Sequence, residues 1–453
     1  MPVVLRHVLP PAATPTYAQP AIHTSEYQRR VAALRAAAPT EWVVVYGDRE
    51  HAANLAFLCG FDPRFEEALL VLGPQTQAII VGNEGLGYTP LLGLDLTILL
   101  AQSLSLMGQP REQAPRLGQV LGHLGIGSGA RVGVVGWKYL EAEEADDPSE
   151  PAFVPAMLVN ALRRLVGPHG HLIDLTHLLM HPVSGLKSHN RADQIANYAW
   201  AAEQASEAVL RIVRGARPGM SELEVAGLMG YRGQPLACHT MIVSGDDQII
   251  GLRSPSARRL APGDGVTTAI GYWGSLCCRA GLLRETPDPS FQEHYVAPYF
   301  QAIAAWWQQL RIGATGGSIH AAVLAAIGDA PFQPALNPGH LIAIDEWTHT
   351  PIRPDSHEQI SSGMVFQCDI IPTPLPPGHA LNCEDSVAVA DAALRAEIAA
   401  GYPELWARIE QRREVLWRDL GIALPDELLP LSVACASLAP YWLAPDLVCA
   451  LVP

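Results

Sequence analysis

The sequence predicts an α+β protein whose two halves follow different patterns. Three observations carry this. Up to about residue 180, short β-branched runs alternate with helical stretches. From Arg191 onward helical spacing takes over, and strand-like runs then follow in a separate block. Hydrophobic residues make up 49% and charged ones 17%, the balance of a compact globule with a large core. A length of 453 residues is enough for two or three domains.

The elements follow in order. Residues 1–22 are rich in Pro and Ala and read as an extended arm. Ser25 is placed to cap a helix running on from Tyr27. The β-branched run Trp42-Val-Val-Val-Tyr46 predicts a strand, and residues 53–61 a short helix stopping near Gly60. Residues 68–72 and 77–81 read as a hairpin; 131–135 and 156–165 add a strand and a helix. Residues 182–187 look like the junction. A helix over 192–213 is stopped by Gly215-Ala-Arg-Pro-Gly219, and Ser221-Glu-Leu-Glu224 is a capping box opening the next. Strands are expected over 240–243, 265–270, 341–344, 365–371 and 386–390, interrupted by a helix near 291–310. The domains expected are therefore 1–183, 184–395, and a helical, then Pro- and Leu-rich extension over 396–453.

Charge and cysteines narrow the function. A net charge of −15 argues against nucleic acid and anionic membrane as partners. No apolar run approaches a membrane span, and the start lacks a signal-peptide layout. Eight scattered cysteines without zinc-ribbon spacing read as buried free thiols of a cytoplasmic protein.

The stretch that stands out is Asn337-Pro-Gly-His-Leu-Ile-Ala-Ile-Asp-Glu-Trp-Thr-His349. It sets two histidines and two carboxylates in an apolar frame. Buried charge needs a partner, a metal or a substrate. A strand end with satisfied polar groups is the competing reading.

The order of further landmarks resembles a known family. Leu186-Lys-Ser-His-Asn-Arg-Ala-Asp-Gln-Ile, Arg217-Pro-Gly-Met-Ser-Glu, Ile242-Val-Ser-Gly, Pro262-Gly-Asp264, Pro338-Gly-His340, Gly363-Met-Val-Phe366 and Glu384-Asp-Ser-Val-Ala-Val are each weak alone. Together, in this order, they resemble the pita-bread superfamily of methionine aminopeptidase, prolidase, aminopeptidase P and creatinase. Asn54-Leu-Ala-Phe-Leu-Cys-Gly-Phe61 is similar to the N-terminal domain of the creatinase group. The resemblance implies an N-terminal α/β domain followed by a pita-bread domain with a curved antiparallel sheet.

The family's peptidases hold two divalent metals on two aspartates, a histidine and two glutamates. Carried over by motif, the aspartate positions read Ala269 and Leu276, the histidine His340, and the glutamates Asp369 and Glu384. A further family histidine falls near Leu252. Two hard cations need several carboxylates, so the resemblance implies a degenerate site: no stoichiometric metal pair, and at most one weak ion at His340, Asp369 and Glu384. His340 reads equally as a ligand or as a satisfied structural histidine.

The candidate catalytic residues are thus His340, Asp369 and Glu384. Two close carboxylates can divide acid and base roles, while a pair bonded to amides or Arg279 competes with that. His239, His349, Arg279 and Arg64 are the candidates for binding substrate. His239 precedes a strand that lines the family's cleft, and His349 resembles the family's second histidine. Arg64 stands in a loop which, in creatinase-like homodimers, lips the partner's site. The expected function is a hydrolase acting on a C–N or related bond of a small polar molecule or short peptide, with no cofactor or one weakly bound divalent metal. The alternatives are an inactive pita-bread protein that binds a small molecule, peptide or protein, and a conventional metal-dependent Xaa-Pro aminopeptidase.

Overall fold

A computed structural model describes residues 1–8, 18–245 and 251–452. The chain divides into two compact units, one of residues 22–187 and one of residues 1–21 with 188–453. The expected extended arm begins as a strand, β1 (Val3–His7).

Residues 22–187 form a mixed six-stranded sheet. Its strands are β2 (Trp42–Gly47), β3 (Ala68–Leu72), β4 (Gln77–Val81), β5 (Thr97–Leu100), β6 (Arg131–Val135) and β7 (His171–Asp174), in the order β5-β4-β3-β2-β6-β7. The predicted hairpin is β3–β4, paired antiparallel from Ala68↔Val81 to Leu72↔Gln77. Strands β2, β6 and β7 run parallel, linked through helices that include Ala156–Val166. The continuous apolar runs in β2, β3 and β6 fit strands covered on both faces.

The second unit is a curled antiparallel sheet backed by helices. Its strands are β8 (Leu236–Ser244), β9 (Gly265–Tyr272), β10 (Ser275–Leu282), β12 (His340–Leu341), β13 (Val365–Cys368), β15 (Asn382–Val389) and β16 (Leu428–Pro430). The order is β12-β13-β15-β10-β9-β8, with β16 on β15. A short ribbon pairs β11 (Gln333–Pro334) with β14 (Pro372–Thr373). The last strand, β17 (Leu447–Leu451), pairs antiparallel with β1. The helix Ala192–Gly215 buries Ala201, Ala205, Ala208, Val209 and Ile212 in one core with Val266, Ile270, Cys277 and Cys383. The helix expected near 291–310 is interrupted: a π turn at Gln292–Val296 precedes Ala297–Gln309.

Two expected strands are shorter than predicted. The one read over 341–344 is only His340–Leu341, and the one over 365–371 stops at Cys368. Both shortfalls lie at the candidate site.

Candidate active site on the sheet face

Strand register decides which side chains share a face. Directly paired residues point to the same side, and so do residues two apart. Cys278 pairs with both Ala269 and Glu384, His340 pairs with Gln367, and Gln367 with Ser386. One face therefore carries Ala269, Leu276, Cys278, Glu384, Ser386, Gln367 and His340. Asp369 continues the side of Gln367 just past β13. The opposite face carries Cys277, Arg279, Cys383 and Asp385. The structure thus brings His340, Asp369 and Glu384 together, all buried.

His340 is held from several sides. Gly339 before it has φ +98°, and a Cβ there would lie 2.8 Å from the Gln367 carbonyl oxygen, so only glycine fits. The imidazole stacks on Trp347, with ring centres 4.0 Å apart and planes 17° from parallel. Its Nδ1 lies 3.3 Å from the Leu341 carbonyl oxygen. A carbonyl can only accept, so Nδ1 carries the proton there. Its Nε2 is fully buried and without a hydrogen-bond partner.

Glu346 faces that nitrogen. Its Oε1 is 3.4 Å from Nε2, and Glu384 Oε1 is 3.9 Å away. The ligand atoms of His340, Glu346 and Glu384 all lie within 4.8 Å of one another, and Asp369 is not in that group. Sequence reasoning missed Glu346 because it assumed a strand running on to residue 344. The chain instead turns back: Thr348 N–H donates to the Leu341 carbonyl, and Leu341 N–H to that of His349. The carboxylate pair inside the 337–349 stretch was the signal that could have found it.

The carboxyls are shifted by their surroundings. Burial pushes Asp369 well above the ordinary value of 3.8, the charges of Glu384 and Glu346 push the same way, and His340 opposes. Burial also raises Glu384 well above 4.5, followed by Glu346 and Asp385. Both therefore favour the protonated form. Asp369 Oδ1 has no hydrogen-bond partner. Burial likewise raises the Cys277 and Cys278 thiols, which suits inert packing better than nucleophilic attack.

The remaining candidates lie elsewhere. Arg279 is on the far face of the sheet. Its guanidinium donates to both Asp385 oxygens at 3.0 and 2.8 Å and to the carbonyls of Cys278, Glu384, Ala434 and Ser437. Those bonds, with one to Cys277 Sγ, engage the whole guanidinium. Arg279 is thus a buried prop for β15, where substrate binding was expected. His239 sits in the irregular stretch of β8, where the register shifts between Cys238 and Met241, and its side chain is exposed. Its Nε2 lies 2.8 Å from the Leu252 carbonyl oxygen. His349 is half-buried, and its Nδ1 accepts from Thr350 N–H at 2.8 Å. Arg64, in the other unit, has φ +60° and pairs with Asp62 at 3.2 Å.

The sequence profile of metallopeptidase family M24 matches residues 196–391. Over this stretch, somewhat under half of the chain, the protein is similar to that family. Some four fifths of the chain share their fold with solved structures of Xaa-Pro peptidases. The prolidase from Thermococcus sibiricus superposes with a TM-score of 0.64 at 17% identity, covering 81% of this chain and 95% of that one. The Xaa-Pro dipeptidase from Bacillus anthracis gives 0.61 at 17%, covering 81% and 96%. Pseudomonas aeruginosa aminopeptidase PepP gives 0.59 at 17%, covering 85% and 100%. At these identities the likeness is one of fold. No match is found among curated proteins.

Ala269 and Leu276, the positions that the family resemblance matched to the aspartates, pack with Met241 and Cys278 into a small apolar cluster, with Cys238 against it. That patch offers no hard oxygen donor. Among the described residues no helix is long and apolar enough to cross a membrane.

Proposed function

We propose that this chain is a hydrolase related to the Xaa-Pro peptidases, cleaving a C–N bond of a small polar molecule or short peptide without a dinuclear metal centre. The observation that carries the reading is the buried set His340, Asp369 and Glu384, gathered on one face from β12, the end of β13 and β15. Two of its atoms, His340 Nε2 and Asp369 Oδ1, have no hydrogen-bond partner. Buried polar atoms are nearly always satisfied, and exceptions cluster where a ligand or a reaction completes them.

The chemistry follows from the carboxyls. Both carboxyls are raised, and the charge of Glu384 disfavours that of Asp369, so once one is ionised the other keeps its proton. The protonated one supplies a proton to a leaving nitrogen, and the ionised one takes a proton from attacking water. His340 Nε2 accepts a hydrogen bond from the substrate or the water.

A specific observation favours a second reading, an inactive binding protein. The Ala269–Leu276 patch replaces polar machinery with a surface fit only for packing.

Turnover separates the two. The purified chain is incubated with Xaa-Pro dipeptides and other small amides, and products are read by mass spectrometry. Turnover lost in His340→Ala and reduced ~10²–10⁴-fold in Asp369→Asn supports the hydrolase. No turnover of any amide, or turnover unchanged in His340→Ala, removes it.

A further inference from the structure

We propose that the unit of residues 22–187 carries a binding site of its own, a cavity between the stretches 65–67 and 102–116 where the Glu66 carboxylate takes the ammonium group of a small amine with an apolar body. The inference stands whether or not the sheet-face site turns anything over, because every residue it uses belongs to this one unit.

The first argument is an unfinished carboxylate. Glu66 is 2% exposed. Its Oε2 accepts from the backbone N–H groups of Glu84 and Gly85, both at 2.9 Å. Its Oε1 is buried and has no hydrogen-bond partner. Buried polar atoms rarely go uncompleted, and an ionised carboxylate can be completed only by a donor. The side chain is also closely seated. A Cβ at Gly82 would run into Oε2 and stand 2.9 Å from Ser105 Oγ, so glycine is what lets the carboxylate lie against the backbone there.

The second argument is the space beside it. Glu66 lines a cavity of about 590 Å³, within the ~300–1,000 Å³ usual for small-molecule sites. Phe65, Leu106 and Met107 line it too, and they are 59%, 42% and 95% exposed. Apolar side chains left open to solvent around one cavity are a surface that a ligand's hydrocarbon body would cover. Exposed side chains change rotamer within nanoseconds, so this wall can open a way to Oε1.

The third argument is charge. Glu67, half-buried, lines the cavity next to Glu66. Arg111 lines it as well, but its guanidinium donates to the carbonyls of Ser105 and Leu106 at 2.9 and 2.7 Å. Arg116 is exposed, where water and salt screen its charge. The carboxylates are thus left to a cation from outside. Divalent ions want several hard ligands, and among the described residues neither Glu66 nor Glu67 belongs to a group of three potential metal ligands. One buried carboxylate beside an apolar wall suits an organic ammonium better.

The experiment is a titration of the full chain by calorimetry at neutral pH. The probes are benzylamine and benzyl alcohol, which have the same body with and without the charge. The expected result is one equivalent of benzylamine per chain, with the alcohol ~10–100-fold weaker, the usual worth of a hydrogen bond to a charged group. Glu66→Gln should weaken benzylamine by a similar factor. Its amide oxygen can still accept from Glu84 and Gly85, while its NH₂ group cannot receive an ammonium. Should that variant unfold, Phe65→Ser with Met107→Ser, both at exposed positions, serves in its place and should weaken benzylamine ~10-fold by removing the apolar wall. Asp369→Asn should bind as tightly as the parent, which separates this cavity from the sheet-face carboxyls. No binding at millimolar benzylamine, equal affinity for the alcohol, binding unchanged in a folded Glu66→Gln chain or in the Phe65/Met107 variant, or a loss in Asp369→Asn overturns the proposal.

Discussion

Replacing Arg279 tests whether the residue serves substrate or scaffold. In the structure Arg279 and Asp385 are 3% and 1% exposed and meet through one guanidinium nitrogen. The Arg279→Met variant keeps the aliphatic volume, so the loss is one of charge and hydrogen bonds. It strands a buried carboxylate and removes donors from the carbonyls of Cys278, Glu384, Ala434 and Ser437. Breaking a buried pair from one side costs about 3–5 kcal/mol. That is a large part of the 5–15 kcal/mol typical of a folded domain. The assay is urea unfolding followed by the fluorescence of Trp306, Trp307 and Trp442, buried in the same core. Removing both charges, as Arg279→Met with Asp385→Leu, should cost less than Arg279→Met alone, because no unpaired charge remains. A variant with an unchanged unfolding midpoint and only a raised KM would refute the reasoning and return Arg279 to the substrate.

Two further outcomes follow from the structure. Burial raises Asp174, at the end of β7, from 3.8 to about 6. A raised carboxyl pKa gives stability that is present below pH ~4 and lost as pH rises through ~6, a difference of ~3 kcal/mol. Asp174→Asn can still accept from Thr176 N–H. It should therefore be more stable than the parent at pH 8, with the gap closing at pH 4; equal denaturation midpoints at both values would rule this out. Gly339→Ala forces a Cβ into the Gln367 carbonyl at a left-handed φ. It should cost about 1–3 kcal/mol, read as a lowered thermal midpoint; an unchanged midpoint would rule this out.

The fold was legible because its signals are local and repeated. Capping at Ser221, the β3–β4 hairpin and the ordered landmarks from Leu186 to Glu384 each depend on a few adjacent residues. The site was legible only in part. His340, Asp369 and Glu384 sit where regular alternation puts them. Glu346 does not, because the chain leaves the sheet at Leu341 and folds back, and no periodicity survives such a turn. Arg279 was misread for a related reason. It was expected to bind substrate, whereas the period of two turns it through the sheet to Asp385. The strand at residues 3–7 was hidden by its partner's distance: nothing near Val3 announces Leu451.

That last pairing has a consequence for how the chain is made. Strand β1 leaves the ribosome well before β17, the only strand it pairs with among the described residues, which emerges about 440 residues later (447 minus 7). At ~5–20 residues per second, the early strand waits on the order of half a minute to a minute and a half with both edges bare. Residues 22–187 are complete long before that, so they can close on their own while the unit on either side of them in sequence is still open. An unpaired edge is a template for any other strand. Val3-Val-Leu-Arg-His7 carries an arginine and a histidine at its end, a charge that resists pairing between neighbouring nascent copies during the wait.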